Sequence, residues 1–264
     1  MIQVTWHGNA VLSYDFGDTT LVVDPFISRN LALPGLKDET VARATAILIT
    51  HGHFDHTADI PHFLTTTTAP VYASDEVIHN QKKRVTPSFH GRFVSAMPGS
   101  AFAFGSVNAR VYNARHVHFD APLIWRTLRN FSANRSETKW RDLKTGMKDH
   151  RANPMGRCVA WLLSVEETSI LHIGSLALDP GEDYPPQVDV LALPFQGSSY
   201  LTQKALAMVE RFSPRILVLH HMDDAFPPIS QQVPTSDMEA AMAQTHPHIK
   251  LIVPDYYRPY DLAP

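Results

Sequence analysis

Apolar and polar residues alternate from the first positions of the chain, Met1-Ile2-Gln3-Val4-Thr5-Trp6-His7, and this period of two predicts a strand over residues 2–6. Two more short runs follow at 11–14 and 20–23, with Gly8-Asn9 and Phe16-Gly17-Asp18 as the turns between them, so the chain opens as an antiparallel meander. An apolar run over 46–50 ends in a group of histidines, and the short helix expected after it is interrupted near Pro61. Residues 71–73 form another strand, with Ser74-Asp75-Glu76 as the cap of the helix behind it. Further strands are predicted over 101–104, 109–113, 159–165, 169–173, 188–193, 216–219 and 249–253, and helices over 202–212 and 236–244. Hairpins come first, strands then alternate with helices, and no linker or break in composition intervenes. The pattern predicts one α/β domain with two sheets over residues 1–264.

One segment departs from it. Residues 119–157 have little apolar periodicity and carry Arg126, Arg129, Arg135, Lys139, Arg141, Lys144, Lys148, Arg151 and Arg157 against Asp120, Glu137, Asp142 and Asp149. A connection of this length inside a compact domain is either a solvated surface insertion or a lid that faces substrate. Elsewhere the composition is ordinary: 44% apolar residues, 19% charged residues and 20 prolines exclude disordered, fibrous and low-complexity classes. A net charge of −3 supplies no field toward nucleic acid or an anionic membrane. No basic segment precedes an apolar run at the start, and no stretch reaches the roughly 18 apolar residues of a spanning helix, so a cytoplasmic protein without membrane contact is expected. The single Cys158, expected in the buried strand after the insertion, excludes an internal disulfide and zinc sites built on two or more cysteines. Histidine is what stands out, with 15 residues against 12 glycines.

His51-Gly52-His53-Phe54-Asp55-His56 packs three imidazoles and a carboxylate into six residues directly after an apolar strand. A histidine-rich tract is by default a surface cluster or an accidental chelator. At a strand end, however, side chains two residues apart point the same way. His51 and His53 can therefore grip one ion while Asp55 and His56, on the following turn, face a second. Neutral imidazole and carboxylate oxygen suit zinc, with manganese, iron or nickel as alternatives. The remaining histidines read differently: His62, His79, His90, His246 and His248 as surface or capping residues, and His172 as a core residue with one hydrogen bond.

The tract resembles the HxHxDH signature of the metallo-β-lactamase superfamily. Thr5-Trp6-His7-Gly8-Asn9-Ala10 and Leu21-Val22-Val23-Asp24-Pro25 are similar to that family's first hairpin and its "DP" strand end, Asn113-Ala114-Arg115-His116 to its later histidine strand, Leu171-His172-Ile173-Gly174-Ser175 to its "GD" strand, and Pro214 to His221 to its last ligand strand. The order covers nearly the whole chain and is closest to the small single-domain lactonase and phospholipase-D-like branch. The resemblance implies an αββα four-layer sandwich with metal held by loops at one edge between the sheets. It also implies His51, His53 and His116 on a first ion, and Asp55, His56 and a late histidine on a second. His221, followed by Met222-Asp223-Asp224, is preferred for that last place, with His220 as the fallback because adjacent strand residues face opposite ways. His118 shares a face with His116 in an extended strand and is a candidate substrate contact or alternative ligand, and Gln196, in Phe195 to Tyr200, lies at the expected rim. Asp24 is expected as the partner of a ligand histidine.

Ser175 stands where the family usually has the aspartate that bridges two metals. A hydroxyl is a poorer ligand than a carboxylate, which predicts a weakened second site, with Ser175 left to substrate. Asp179, four residues on, reads as a turn residue beside Pro180-Gly181. The function expected is a metal-dependent hydrolase that activates water on one or two zinc ions and cleaves a small, anionic ester, lactone, amide or phosphoester. Asp55 would accept the water's proton if free of metal, or only position the water if ligated. The alternatives are a nuclease of the same fold, disfavoured by the mild acidity, and a non-catalytic metal-binding protein. A homo-oligomer is compatible with everything above.

Overall fold

The computed structural model describes residues 2–123, 125, 129, 148, 151–227 and 230–263. The period-two alternation at the start becomes β1 (Gln3–Trp6), β2 (Leu12–Asp15) and β3 (Thr20–Val23), paired antiparallel as expected. The parallel strands β4 (Ala46–Leu48), β5 (Val71–Ala73) and β6 (Phe93–Ser95) extend that sheet on one side, and β14 (Pro259–Asp261) closes it on the other, in the order β14-β1-β2-β3-β4-β5-β6. The second sheet repeats the plan. Strands β7 (Ala101–Phe104), β8 (Val107–Ala114), β9 (Cys158–Val165) and β10 (Thr168–Ile173) pair antiparallel, and β11 (Val190–Pro194), β12 (Ile216–His220) and β13 (Lys250–Ile252) follow in parallel.

Every residue of β4, β11 and β12 is buried, which is why these strands read as continuous apolar runs, whereas β1 alternates buried and half-buried positions. The inward faces of the two sheets meet through Leu12, Tyr14, Leu21 and Leu48 on one side and Val111, Trp161 and Leu163 on the other. Helices α1 (Asp38–Ala42), α2 (Phe54–Thr57), α3 (Ile60–Thr66) and α4 (Asp75–Lys82) cover the outer face of the first sheet, where Val41, Phe63 and Val77 pack with Val22 and Ile47. Helix α5 (Leu201–Phe212) buries Ala205, Met208, Val209 and Phe212 against the second sheet, beside α6 (Ser236–Thr245). The result is the αββα sandwich.

Differences from the sequence reading are local. The interrupted helix is two helices, with Pro61 in the first turn of α3, where a missing N–H costs nothing. Ser74 occupies the N-cap position of α4 but its hydroxyl makes no cap bond and donates to the Arg157 carbonyl instead. β4 stops at Leu48 rather than Thr50: the Ile49 N–H still donates to the Tyr72 carbonyl of β5 at 2.9 Å, but the carbonyls of Ile49 and Thr50 turn to the other sheet, where they accept from Trp161 Nε1 at 3.1 Å and Val159 N at 2.8 Å. α1, β6 and β14, of three to five residues, were too short to carry a periodic signal. Cys158 is buried at the start of β9. Most of the basic insertion lies outside the described residues. Among the described residues no helix is long and apolar enough to cross a membrane.

Candidate metal centre

The strands that end at one rim of the sandwich deliver the chemistry. Beyond β4 come His51 and His53, Asp55 and His56 lie in the first turn of α2, His116 follows β8, and His221 follows β12. Open α/β sheets place ligands at such carboxyl ends. The potential ligand atoms fall into two groups, His51, His53 and His116, and Asp55, His56 and His221, with the atoms of each group within 4.8 Å of one another. Within the first, His51 Nε2 lies 3.2 Å from His53 Nδ1, and within the second His221 Nε2 lies 3.1 Å from Asp55 Oδ2. The groups adjoin, since the His51 and His56 rings are 3.9 Å apart between centroids. Five imidazoles and a carboxylate, mostly buried, are costly to bring together without a cation among them, and the donor set fits a divalent ion.

Other atoms hold these rings in place. Asp24, fully buried, accepts from Thr50 N at 2.7 Å, from Thr50 Oγ1 at 2.5 Å and from His56 Nδ1 at 2.7 Å. Thr50 Oγ1 in turn faces His51 Nδ1 at 3.0 Å, so one carboxylate orients a ring in each group and turns each Nε2 toward the other members of its group. His116 Nδ1 donates to the Val117 carbonyl at 2.7 Å. Burial, and then the neighbouring His56, His53 and His116, hold His51 well below the usual histidine range. Burial likewise lowers His116. Burial opposes the charge of Asp55, but His56 and the His221 hydrogen bond outweigh it and pull the carboxyl down. For His56 burial is outweighed by Asp24 and Asp55, and the imidazole is raised.

Of the adjacent histidines, the structure brings His221 to Asp55 and His220 into the core, where its ring stacks on His172 at 5.0 Å. His221 has a left-handed backbone, φ +57°, which turns it away from the strand direction. His172 bonds Tyr14 Oη through Nδ1 at 3.0 Å. His116 and His118 lie past the end of β8, so strand alternation does not relate them, and His118 is exposed. Gln196 donates its amide to the carbonyls of Asp223 and Gln231 at 3.3 and 3.2 Å. Ser175 is buried and its Oγ accepts from Val117 N at 2.9 Å, beside His116. Asp179 bonds Gly181 N and Asn113 Nδ2, a turn residue as expected. Sequence reasoning passed over Thr50 and Gly174. The only signal was position: a Cβ on Gly174 would lie 2.0 Å from Thr50 Oγ1, so the sheets meet there at a distance only glycine allows.

Residues 19–222, more than half of the chain, match the family described as Beta-lactamase superfamily domain. The chain belongs to the beta-lactamase superfamily. This superfamily member is 33% identical over 81 residues to a UPF0173 metal-dependent hydrolase of Xanthobacter autotrophicus, a match covering 29% of this chain and 33% of that protein. The chain thus spans about a third of the length of that curated relative. Its fold is similar to that of a metallo hydrolase from Ignicoccus hospitalis KIN4/I, with 14% identity, TM-score 0.65 and coverage of 98% of this chain and 97% of that one. It is also similar to the metallo-beta-lactamase fold protein YhfI from Bacillus subtilis, with 14% identity, TM-score 0.63 and coverage of 99% and 100%.

Proposed function

We propose that this beta-lactamase superfamily member is a metal-dependent hydrolase of small, anionic esters, lactones, amides or phosphoesters, with His51, His53 and His116 as ligands of one zinc ion and Asp55, His56 and His221 as ligands of a second. The observation that carries the reading is the pair of three-residue groups, each with donor atoms within 4.8 Å, at the rim where both sheets end. His51, His53 and His116 would hold an ion that, when bound, would supply activation of water near neutral pH and polarisation of the bond under attack. The neighbouring residues do the rest. Asp24 has its oxygens engaged by Thr50 and His56, so it fixes ring orientation and is not placed to take a proton from water. Asp55, bonded to His221 Nε2 at 3.1 Å and 3.6 Å from His56 Nε2, positions water while the second group holds an ion, and is the proton acceptor when it does not. The arginines and lysines of residues 119–157 support the preference for an anionic substrate.

Ser175 supports an asymmetric centre, because Asp55 is the one carboxylate among the six proposed ligands. A panel of p-nitrophenyl phosphodiesters, esters and lactones, assayed with zinc-loaded protein, tests the activity. Turnover of at least one class, abolished by a chelator, is expected. No turnover across the panel with zinc bound would contradict the hydrolase and leave a non-catalytic metal protein. Ser175→Asp is expected to raise occupancy of the second site, read as zinc equivalents per chain. Two tightly held equivalents in the unsubstituted chain would contradict the weakened second site.

A further inference from the structure

Two ligands of the second group come from different sheets and meet only in the folded chain: Asp55 from the loop and helix after β4, and His221 from beyond β12. Asn9, in the β1–β2 turn and 1% exposed, touches the backbone of both. Its side-chain amide donates to the Asp55 carbonyl at 2.5 Å, and its own carbonyl accepts the His221 N–H at 2.7 Å. We infer that Asn9 is a positioning residue for the second ion, setting the separation of Asp55 and His221 and through it the affinity of that group. The inference rests on the two-group reading of the metal centre proposed above.

The turn that carries Asn9 is itself held rigidly. Asn9 N donates to both carboxylate oxygens of Asp223 at 3.0 Å, and Asp223, 1% exposed, also accepts from Tyr256 Oη at 2.6 Å. The Tyr256 ring stacks on Trp6 at 4.4 Å, and the Trp6 indole N–H donates to the Asn9 carbonyl at 2.8 Å. Gly8 has φ +95°, and a Cβ there would come within 3.0 Å of Tyr256 Cε1 and 3.2 Å of Asp223 Oδ2, which fixes the path of the turn against this support. Asn9 itself has φ +49°, a left-handed conformation that asparagine tolerates better than most residues. A carboxamide supplies the N–H that the Asp55 carbonyl needs. The first group is oriented by other bonds, from His51 Nδ1 to Thr50 Oγ1 and from His116 Nδ1 to the Val117 carbonyl. With serine at position 175 the second group has one carboxylate to offer, and its affinity then depends on how well its ligands are pre-arranged.

The test is calorimetric titration of the chelator-stripped full chain with zinc, with thermal unfolding of the stripped protein measured in parallel. Asn9→Gly keeps the left-handed backbone and the main-chain contacts and removes only the carboxamide, while Tyr256→Phe keeps the stacked ring and removes the hydroxyl from Asp223. The unsubstituted chain is expected to take up two equivalents, the second more weakly. In Asn9→Gly the first equivalent keeps its affinity within about twofold and the second weakens about 10–100-fold, the range for residues that orient ligands. Tyr256→Phe shows a smaller loss on the same equivalent, and both stripped variants melt close to the parent. Unchanged affinity of the second equivalent in Asn9→Gly would overturn the inference. So would a loss shared by both equivalents together with a lower melting temperature, which is the mark of a purely structural role, or uptake of a single ion by the unsubstituted chain. No zinc uptake at all by that chain would overturn the metal centre itself, and the inference with it.

Discussion

Asp24 is where single-residue chemistry is most concentrated, because one buried carboxylate accepts from Thr50 twice and from His56 once. Asp24→Asn keeps the shape but turns one acceptor into a donor facing other donors. Zinc affinity is expected to fall about 10–100-fold, measured by competition with a chromophoric chelator, and stability by about 1–3 kcal/mol. His7 offers a second test, away from the metal groups. It is buried, its Nε2 lies 2.8 Å from Ser13 Oγ, and burial followed by the charge of Lys37 lowers it to about 4. A depressed histidine stays neutral in the fold while the unfolded chain takes up a proton below about 6.5, so its contribution is intact above that pH and is lost as pH falls toward 4. That window corresponds to roughly 3 kcal/mol. His7→Gln is expected to flatten the decline in urea midpoint between pH 6.5 and 4 relative to the parent. At this scale the histidine tract was legible because its residues are contiguous in the chain. Thr50 and Asn9 were not, because a hydroxyl and a carboxamide acquire their partners only when distant strands are brought together.

The elements that place the site are a set of strand ends, and their junction is tight. Gly174 follows β10, and the space that its side chain would fill is occupied by Thr50 Oγ1, at 2.0 Å, and Thr50 Cβ, at 2.4 Å. Gly174→Ala must push Thr50 away from Asp24 and His51. A loss of at least about 1–3 kcal/mol is expected from overpacking, with weaker zinc binding in both groups, read from denaturation midpoints and zinc titration of the same protein. Retained stability and affinity would show that the sheets can separate there at little cost. β1, whose buried and half-buried positions alternate, was legible from that period, and the long β9 and β10 from their apolar content. The three-residue β6 and β14 and the five-residue α1 were not, since so few positions cannot establish a period and their pairing is set by neighbours far along the chain. Likewise the choice between His220 and His221 turned on one left-handed residue at the end of β12, which alternation along a strand does not foresee.

Across the whole molecule, the two sheets follow one plan, antiparallel hairpins succeeded by parallel strands, and the proposed ligands come from both: four from the loop and helix after β4, one after β8 and one after β12. The sequence pattern of hairpins followed by alternating strands and helices was visible, but its repetition was not, because the two halves share topology rather than residues. Folding the halves face to face is what converts six residues spread from position 51 to position 221 into a single centre. In the proposed function, activity depends on metal held by side chains from both sheets. The most direct measurement is the hydrolysis rate of the chelator-stripped chain on its best p-nitrophenyl substrate as zinc is added back, for the parent and for His116→Ala. The predicted result is no turnover without metal, a rate that climbs with zinc to a plateau in the parent, and no such climb in His116→Ala. Turnover by the stripped parent, or a full zinc-dependent rate in His116→Ala, would contradict the account.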